Sequence, residues 1–192
     1  MRKLPLAVRW LHTYLSLLGF AAALFFSATG LFLNHAARFE GEMPRLAERE
    51  GTMPPEVVPA AGGSLAAAVD WLRERHSLRG SLAESRLSAS GGTLAFKGPA
   101  FSAEVEFELP SGRYRVRTES MGLVALLDDL HKGRDSGNGW SWLIDASAAV
   151  MALSSVTGLW LLLYLKKRRG AGLWTAAVGA AALFAVYFAF VP

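Results

Sequence analysis

The chain has 192 residues, of which 52% are hydrophobic and 19% charged, and its mean hydropathy is +0.28. It contains 20 basic residues, 16 acidic residues and no cysteine, which gives a net charge of +4. This composition is too apolar for one soluble domain of this size and indicates a membrane protein. The lack of cysteine excludes disulfides, iron–sulfur clusters and covalently attached c-type haem.

Three apolar stretches are long enough to cross a bilayer, which takes roughly 20 residues in a helix. They run over about 11–33, 140–165 and 173–191. The first run is longer than the apolar core of a secretory signal, so we expect a retained anchor. The sequence therefore predicts three transmembrane helices.

The charges outside these spans predict the orientation. The segment before the first span and the segment between the second and third carry seven basic residues and no acidic one. The long segment 35–139 has 13 basic and 15 acidic residues. Basic residues mark cytoplasmic segments, so we expect a cytoplasmic N-terminus and a large extracytoplasmic loop. The high pI of 9.7 then reflects topology, and no nucleic acid partner is expected.

In chain order, small residues line one face of the first span, where another helix or a flat cofactor could approach closely: Ser16, Gly19, Ala23, Ser27 and Gly30. A proline-containing connector follows over 37–63, and then a helix begins at Ser64 and ends near His76. Four strands are predicted over about 81–89, 93–97, 103–108 and 114–118, with a last helix over 121–131. The predicted fold class is an α-helical membrane protein with a small α+β domain inserted between transmembrane helices 1 and 2.

The second span contains Asp145, the one acidic residue within any span. Ser141, Ala148, Ala152 and Ser155 share its predicted helical face. An intramembrane carboxylate is costly, so we expect Asp145 to face the bundle and to have a partner. It could accept a hydrogen bond from a histidine ring, relay protons or join a polar helix contact. A further weak pattern is the similarity of Ser27–Leu33 to Ser155–Leu161, both of which contain Thr-Gly-Leu.

His35 ends the first span and His131 precedes the second, so the predicted topology places both imidazoles on the same side of the membrane. This placement suggests the two axial ligands of a b-type haem. Arg38, Lys132 and Arg134 are close enough in sequence to neutralise its propionates. Alternatively, the two histidines are a helix cap and an interfacial polar residue.

Other uses of the histidines also follow from their spacing. Asp128, His131 and His35 could bind a divalent metal, although a fourth ligand is missing. His12 lies about 34 Å along the helix from His35, so the two cannot share one iron. We expect His12 to be an interfacial polar residue or a single ligand. In a homodimer, the His12 of each subunit could instead bind a haem on the cytoplasmic side. We expect His76 to be a solvated surface residue.

Several motifs resemble the PepSY-associated transmembrane proteins. Arg9-Trp10-Leu11-His12 and Leu33-Asn34-His35 are similar to that family's first helix, and Leu130-His131-Lys132-Gly133-Arg134-Asp135 with Ile144-Asp145 is similar to its second. The segment 64–132 resembles a PepSY-type domain. The resemblance implies a bacterial inner-membrane protein with a periplasmic domain, whose larger relatives include haem-containing ferric-siderophore reductases. The chain departs from those relatives in having three spans and one PepSY-like unit.

The predicted organisation is the N-terminus and helix 1 (1–36), the connector (37–63), the PepSY-like domain (64–132), helix 2 (133–165), a basic cytoplasmic loop (166–172) and helix 3 (173–192). The predicted function is electron transfer to or from a periplasmic acceptor in iron, siderophore or metal acquisition, as a reductase or an electron-transfer subunit. Haem b would be bound by His35 and His131, Asp145 would tune it or relay protons, and Trp140, Trp142 and Phe32 would line the ring.

The alternative is a cofactor-free PepSY protein, anchored in the membrane, that restrains a periplasmic protease. It could also be an accessory subunit that packs as a homodimer or against a larger membrane complex.

Overall fold

The computed structural model describes residues 3–38, 43–59 and 63–192. The helices are α1 (Lys3–Leu33), α2 (Ala66–His76), α3 (Leu123–Lys132), α4 (Gly137–Tyr164) and α5 (Arg169–Phe190). The strands are β1 (Arg45–Thr52), β2 (Ser81–Leu87), β3 (Gly91–Gly98), β4 (Phe101–Glu108) and β5 (Arg113–Ser120). Short 3-10 turns cover Ala36–Arg38 and Pro55–Val57.

Three of the described helices are long and apolar enough to cross a membrane. Their spanning segments are Leu6–Leu33, Gly137–Tyr164 and Arg169–Phe190. Large apolar side chains on these helices, such as Leu18 and Phe188, are exposed, as expected of surfaces that face lipid. The prediction of three apolar spans is confirmed, and the chain is a membrane protein.

The described strands form one antiparallel sheet with the order β1-β5-β4-β3-β2. In β4, Ala103, Val105 and Phe107 are buried while the glutamates between them are exposed. This alternation places one face of the sheet against α2, where Leu72 is fully buried, and leaves the other face to solvent. The core therefore lies between the sheet and α2.

Strand β1 lies within the segment 37–63, which was predicted to be an irregular connector. Its sequence is polar, and seven of its eight residues are exposed. It pairs with β5 from Arg45 opposite Ser120 to Thr52 opposite Arg113. An edge strand buries little side-chain surface, and charged side chains suit it, so it lacks the apolar alternation that identifies a strand in a sequence.

The predicted fold class is wrong in how it places the sheet. The described chain has an N-terminal helix, the sheet in the middle and two C-terminal apolar helices. By its contacts it divides into one unit of residues 1–25 with 145–192 and a second unit of residues 26–144. The second unit includes the end of α1 and the start of α4. The sheet is therefore not a separate domain inserted between helices 1 and 2, because its unit takes in parts of both.

Candidate functional site

His131 lies in the last turn of α3, which ends at Gly133 in a left-handed conformation with φ 73°. Its Nδ1 is 2.7 Å from the hydroxyl oxygen of Thr29 on α1. That hydroxyl also lies 3.3 Å from the carbonyl oxygen of Phe26, and when it donates there it accepts the proton of His131 Nδ1. In that tautomer the lone pair of His131 lies on Nε2, which has no hydrogen-bond partner in the described part of the chain.

The residues around this imidazole form a close-fitting site. Thr29 is only 6% exposed, and a Cβ at Gly30 would lie 3.5 Å from His131 Cε1. The ring of Phe26 meets the imidazole edge-on at 5.5 Å between centroids. We call Thr29, Gly30 and His131 together the His131 contact.

His12 on α1 makes an equivalent contact with α4. Its Nδ1 is 3.0 Å from the carbonyl oxygen of Ser154 and 3.1 Å from the hydroxyl oxygen of Thr157. A carbonyl can only accept, so Nδ1 carries the proton here too. Thr157 is 7% exposed, and a Cβ at Gly158 would lie 3.0 Å from His12 Cε1. We call Thr157, Gly158 and His12 together the His12 contact.

The two contacts explain the similarity between Ser27–Leu33 and Ser155–Leu161. In each copy, the threonine hydrogen-bonds an imidazole Nδ1 and the glycine lies under the same ring. Thr29 and Thr157 are also the polar side chains classed as buried in the described residues. Sequence reasoning noted the repeat but missed both threonines as partners of histidine.

His35 is fixed within its own helix end. Its Nδ1 lies 3.0 Å from the carbonyl oxygen of Leu31, one turn earlier, so it donates there and leaves Nε2 as the acceptor. The ring is partly exposed. The side chain of Arg38 is exposed and makes no hydrogen bond or ion pair with the residues that the structure describes.

The other two predicted propionate partners are already paired. Lys132 Nζ lies 2.7 Å from Asp128 Oδ1, and Arg134 pairs with both Asp128 and Asp129. Asp129 also accepts the backbone N–H of Ala100 at 2.9 Å, which attaches α3 to the sheet. These carboxylates therefore position the helix that carries His131.

The divalent metal alternative required Asp128, His131 and His35 to converge. Within residues 3–38, 43–59 and 63–192, no group of three histidine or acidic side chains could bind a metal ion. Asp128 instead serves Lys132 and Arg134. The structure does not assemble the three-ligand set.

The aromatic residues differ in their surroundings. Trp140 Nε1 donates to the carbonyl oxygen of Leu130 at 2.8 Å and so connects the start of α4 to α3. Trp142 is 72% exposed. Phe32 is partly buried near the end of α1.

The side chain of Asp145 is exposed on α4 and makes no hydrogen bond or ion pair with any described residue. Ala148, Ala152 and Ser155 on the same face are exposed as well. The face of α4 that contacts α1 is a different one: Ser154 Oγ is 2.7 Å from Ser16 Oγ, and Val150 lies against Gly19. The predicted face of the second span was therefore wrong, whereas the small-residue face of the first span does permit helix packing.

His76 was expected to be a solvated surface residue, and this was wrong. Its Nε2 lies 2.9 Å from the hydroxyl of Tyr114, and the two rings meet edge-on at 5.4 Å. Burial lowers the pKa of His76 below 6.5, and the charges of Arg49 and Arg75 lower it further.

Comparison with known proteins identifies the family. The family model described as "Putative PepSY_TM-like" matches residues 6–192. No curated protein and no solved structure matches the chain significantly. The chain therefore belongs to the PepSY_TM-like family.

Proposed function

We propose that the chain is a haem b protein of the bacterial inner membrane that transfers electrons to or from an acceptor on the side of the sheet, in iron, siderophore or other metal acquisition. One observation carries this proposal: His131 is attached through Nδ1 to a buried threonine, and its Nε2 has no partner in the described residues. That is the state of an imidazole prepared to donate a lone pair to a metal.

The second proposed ligand fits the same requirement. His35 donates Nδ1–H to the carbonyl oxygen of Leu31, which fixes its tautomer and ring orientation. A metal-ligating histidine almost always donates its other ring N–H to such an oxygen. The donor set would thus be one ring nitrogen from each of two imidazoles, which suits the iron of a b-type haem that is bound without covalent attachment.

The chain's own residues would do the following. Thr29 positions the ring of His131, and Phe26 and Gly30 limit the space beside it. Arg38, whose side chain has no partner among the described residues, would neutralise a propionate. Lys132 and Arg134 would do so only by giving up part of their pairing with Asp128. When bound, haem would supply the one-electron redox centre.

Four further residues have proposed roles in the protein. Asp145 would hold or relay a proton within the apolar α4, and Trp140 and Trp142 would border the haem at the start of that helix. His12 is proposed as a packing residue because its Nδ1 already bonds two oxygens of α4.

The orientation proposed from the charges is a cytoplasmic N-terminus, with residues 166–172 in the cytoplasm and the sheet in the periplasm. Lys166, Lys167, Arg168 and Arg169 follow α4, while the segment that contains the sheet is slightly acidic. A periplasmic acceptor or protein partner would then meet the sheet side of the molecule.

The test is the absorption spectrum of the full chain, purified in detergent after expression with ample haem, first air-oxidised and then reduced with dithionite. We expect a sharp reduced α-band typical of bis-histidine haem b, lost in His35→Ala and in His131→Ala. His76→Ala is the matched control, because it removes an imidazole of the sheet region and should leave the band unchanged.

A colourless wild-type protein would overturn the proposal. It would leave the cofactor-free alternative, in which Thr29 and His131 serve only as a polar contact between helices. Loss of the band in His76→Ala as well would show a general folding defect instead of ligation.

A further inference from the structure

A cluster of basic and hydroxyl side chains lines a cavity on the helix-covered face of the sheet. The cavity has a volume of about 170 Å³, and Arg49, Arg79 and His76 line it together with the hydroxyl residues Ser77, Thr118 and Ser120. Phe101 and Val116 are the other described lining residues, and no described residue of the lining is acidic. The described lining therefore carries two full positive charges and no negative one.

The sheet register explains how the arginines reach this place. Arg49 of β1 lies opposite Val116 of β5, and residues paired in this way project from the same face. Val116 is fully buried in the core, so Arg49 lies on the face of the sheet that α2 covers. Arg79 follows the end of α2, just after His76.

The arginines of this cavity differ from those on the opposite face. Arg113 pairs with Glu108 at 3.0 Å, and Arg115 lies 2.7 Å from Glu50. Arg49 and Arg79 make no side-chain hydrogen bond or ion pair with any residue that the structure describes. Their guanidinium groups, each a planar donor of several N–H groups, are therefore available to a ligand.

His76 adds an unpartnered polar atom. Its Nε2 lies 2.9 Å from the hydroxyl oxygen of Tyr114, which is 7% exposed. Its Nδ1 is buried and has no hydrogen-bond partner in the described residues. Buried polar groups are nearly always paired, and both ring nitrogens of an imidazolium are donors. The protonated ring would therefore suit a bound anion.

We propose that this cavity binds a phosphate group through Arg49, Arg79 and the protonated ring of His76. A phosphate dianion matches the two arginine charges, and its oxygens can accept from both guanidinium groups and from nearby hydroxyls together. A carboxylate would satisfy one arginine and leave the second unpaired. The inference does not depend on haem binding.

Binding should also change the ionisation of His76. Burial, Arg49 and Arg75 now lower its pKa. A dianion in the cavity opposes both arginine charges and favours the imidazolium, so the pKa of His76 should rise. This change is a readout that nonspecific adsorption elsewhere on the protein would not produce.

The experiment uses the full chain in nanodiscs of phosphatidylcholine. One arm titrates inorganic phosphate by calorimetry and follows the His76 ring by NMR, and a second arm measures the same ring signals in nanodiscs that contain phosphatidic acid. We expect Arg49→Gln combined with Arg79→Gln to weaken phosphate binding at least tenfold and to abolish the rise in the pKa of His76. Arg113→Gln is the matched control, since it removes an ion-paired arginine from the opposite face.

The outcomes distinguish a free phosphate compound from a lipid headgroup, and they show when the proposal fails. A response to inorganic phosphate identifies a free phosphate compound, and a response to phosphatidic acid alone identifies a lipid headgroup; either supports the proposal. No response in both arms, an equal loss in Arg113→Gln, or an equal response to acetate would each overturn it.

Discussion

The His131 contact and the His12 contact use the same parts but differ in how tightly they enclose the imidazole. His12 Nδ1 has two oxygen partners, on Ser154 and Thr157. Its ring lies against Gly158, where an added Cβ would be 3.0 Å from His12 Cε1. His131 has Thr29 as its one hydrogen-bond partner in the described residues, and the corresponding distance at Gly30 is 3.5 Å.

Under the proposed function, one short sequence pattern serves two purposes. A histidine with two acceptors and no spare volume is suited to joining helices, for which polar contacts in membranes contribute roughly 0.6 kcal/mol each on average. A histidine with one acceptor and more space can keep its orientation while Nε2 binds a ligand. We therefore propose helix packing for His12 and ligation for His131.

The largest expected difference concerns the haem band. His12→Ala should retain the reduced α-band and His131→Ala should lose it, because of these two histidines only His131 is a proposed haem ligand. Reduced-minus-oxidised spectra at equal protein concentration measure this directly. Loss of half the haem in His12→Ala would instead show that His12 is a ligand too and would remove the functional distinction between the contacts.

The next difference concerns the glycines. Replacement of a helical glycine by alanine raises the free energy of unfolding by about 0.5–1 kcal/mol, because alanine loses less backbone entropy on folding. Gly30→Ala should keep this gain, since the new methyl meets His131 at an ordinary contact distance. Gly158→Ala should lose about 1 kcal/mol net, because the methyl must displace a hydrogen-bonded ring and overpacking costs about 1–3 kcal/mol.

The free energy of unfolding in mixed micelles, titrated with SDS, tests the glycine pair. If the two alanine variants change it equally, the two contacts do not differ in tightness.

A smaller difference is expected at the threonines. Thr29→Val removes the one hydrogen-bond partner of His131 Nδ1 in the described residues and should cost about 1 kcal/mol, at the low end for an unpaired polar group. Thr157→Val should cost less, on the order of 0.5 kcal/mol, since the carbonyl of Ser154 still accepts from His12. Nitrogen-15 NMR of the rings adds a second readout: the tautomer of His131 should become mixed and that of His12 should not.

The smallest effect concerns His76, a histidine outside both contacts. Its folded pKa lies below 6.5, so the unfolded chain takes up the proton first as the pH falls. The free energy of unfolding is therefore highest above pH 6.5. It decreases as the pH falls from 6.5 through the lowered pKa of His76 in the folded state. Unfolding measured from pH 8 to pH 5 in phosphate-free buffer should show this loss in wild type and a weaker one in His76→Gln, and an unchanged slope in the variant would contradict it.

The apolar helices and four of the strands were predictable because the hydrophobic pattern of adjacent residues identifies each of them. About 20 apolar residues in a row can only be stable across lipid as a helix, and the alternation over 103–108 gives a sheet with one wet face. Strand β1 was not predictable, since an exposed edge strand has no buried face to mark it. The wrong face was chosen on α4 because small residues occur on several sides of that helix, and only contact with α1 shows which side is buried.

The sequence by itself determined the membrane character, the three spans, the family motifs and the repeated Thr-Gly-Leu pattern, all of which depend on neighbouring residues. Only the tertiary structure decided that Thr29 pairs with His131, that Thr157 pairs with His12, and that Arg49 comes beside His76. These partners are separated by between 27 and 145 residues, and their meeting depends on helix rotation and strand register. A hydrogen bond requires placement to within a few tenths of an ångström, which local propensities do not specify and packing of the whole fold does.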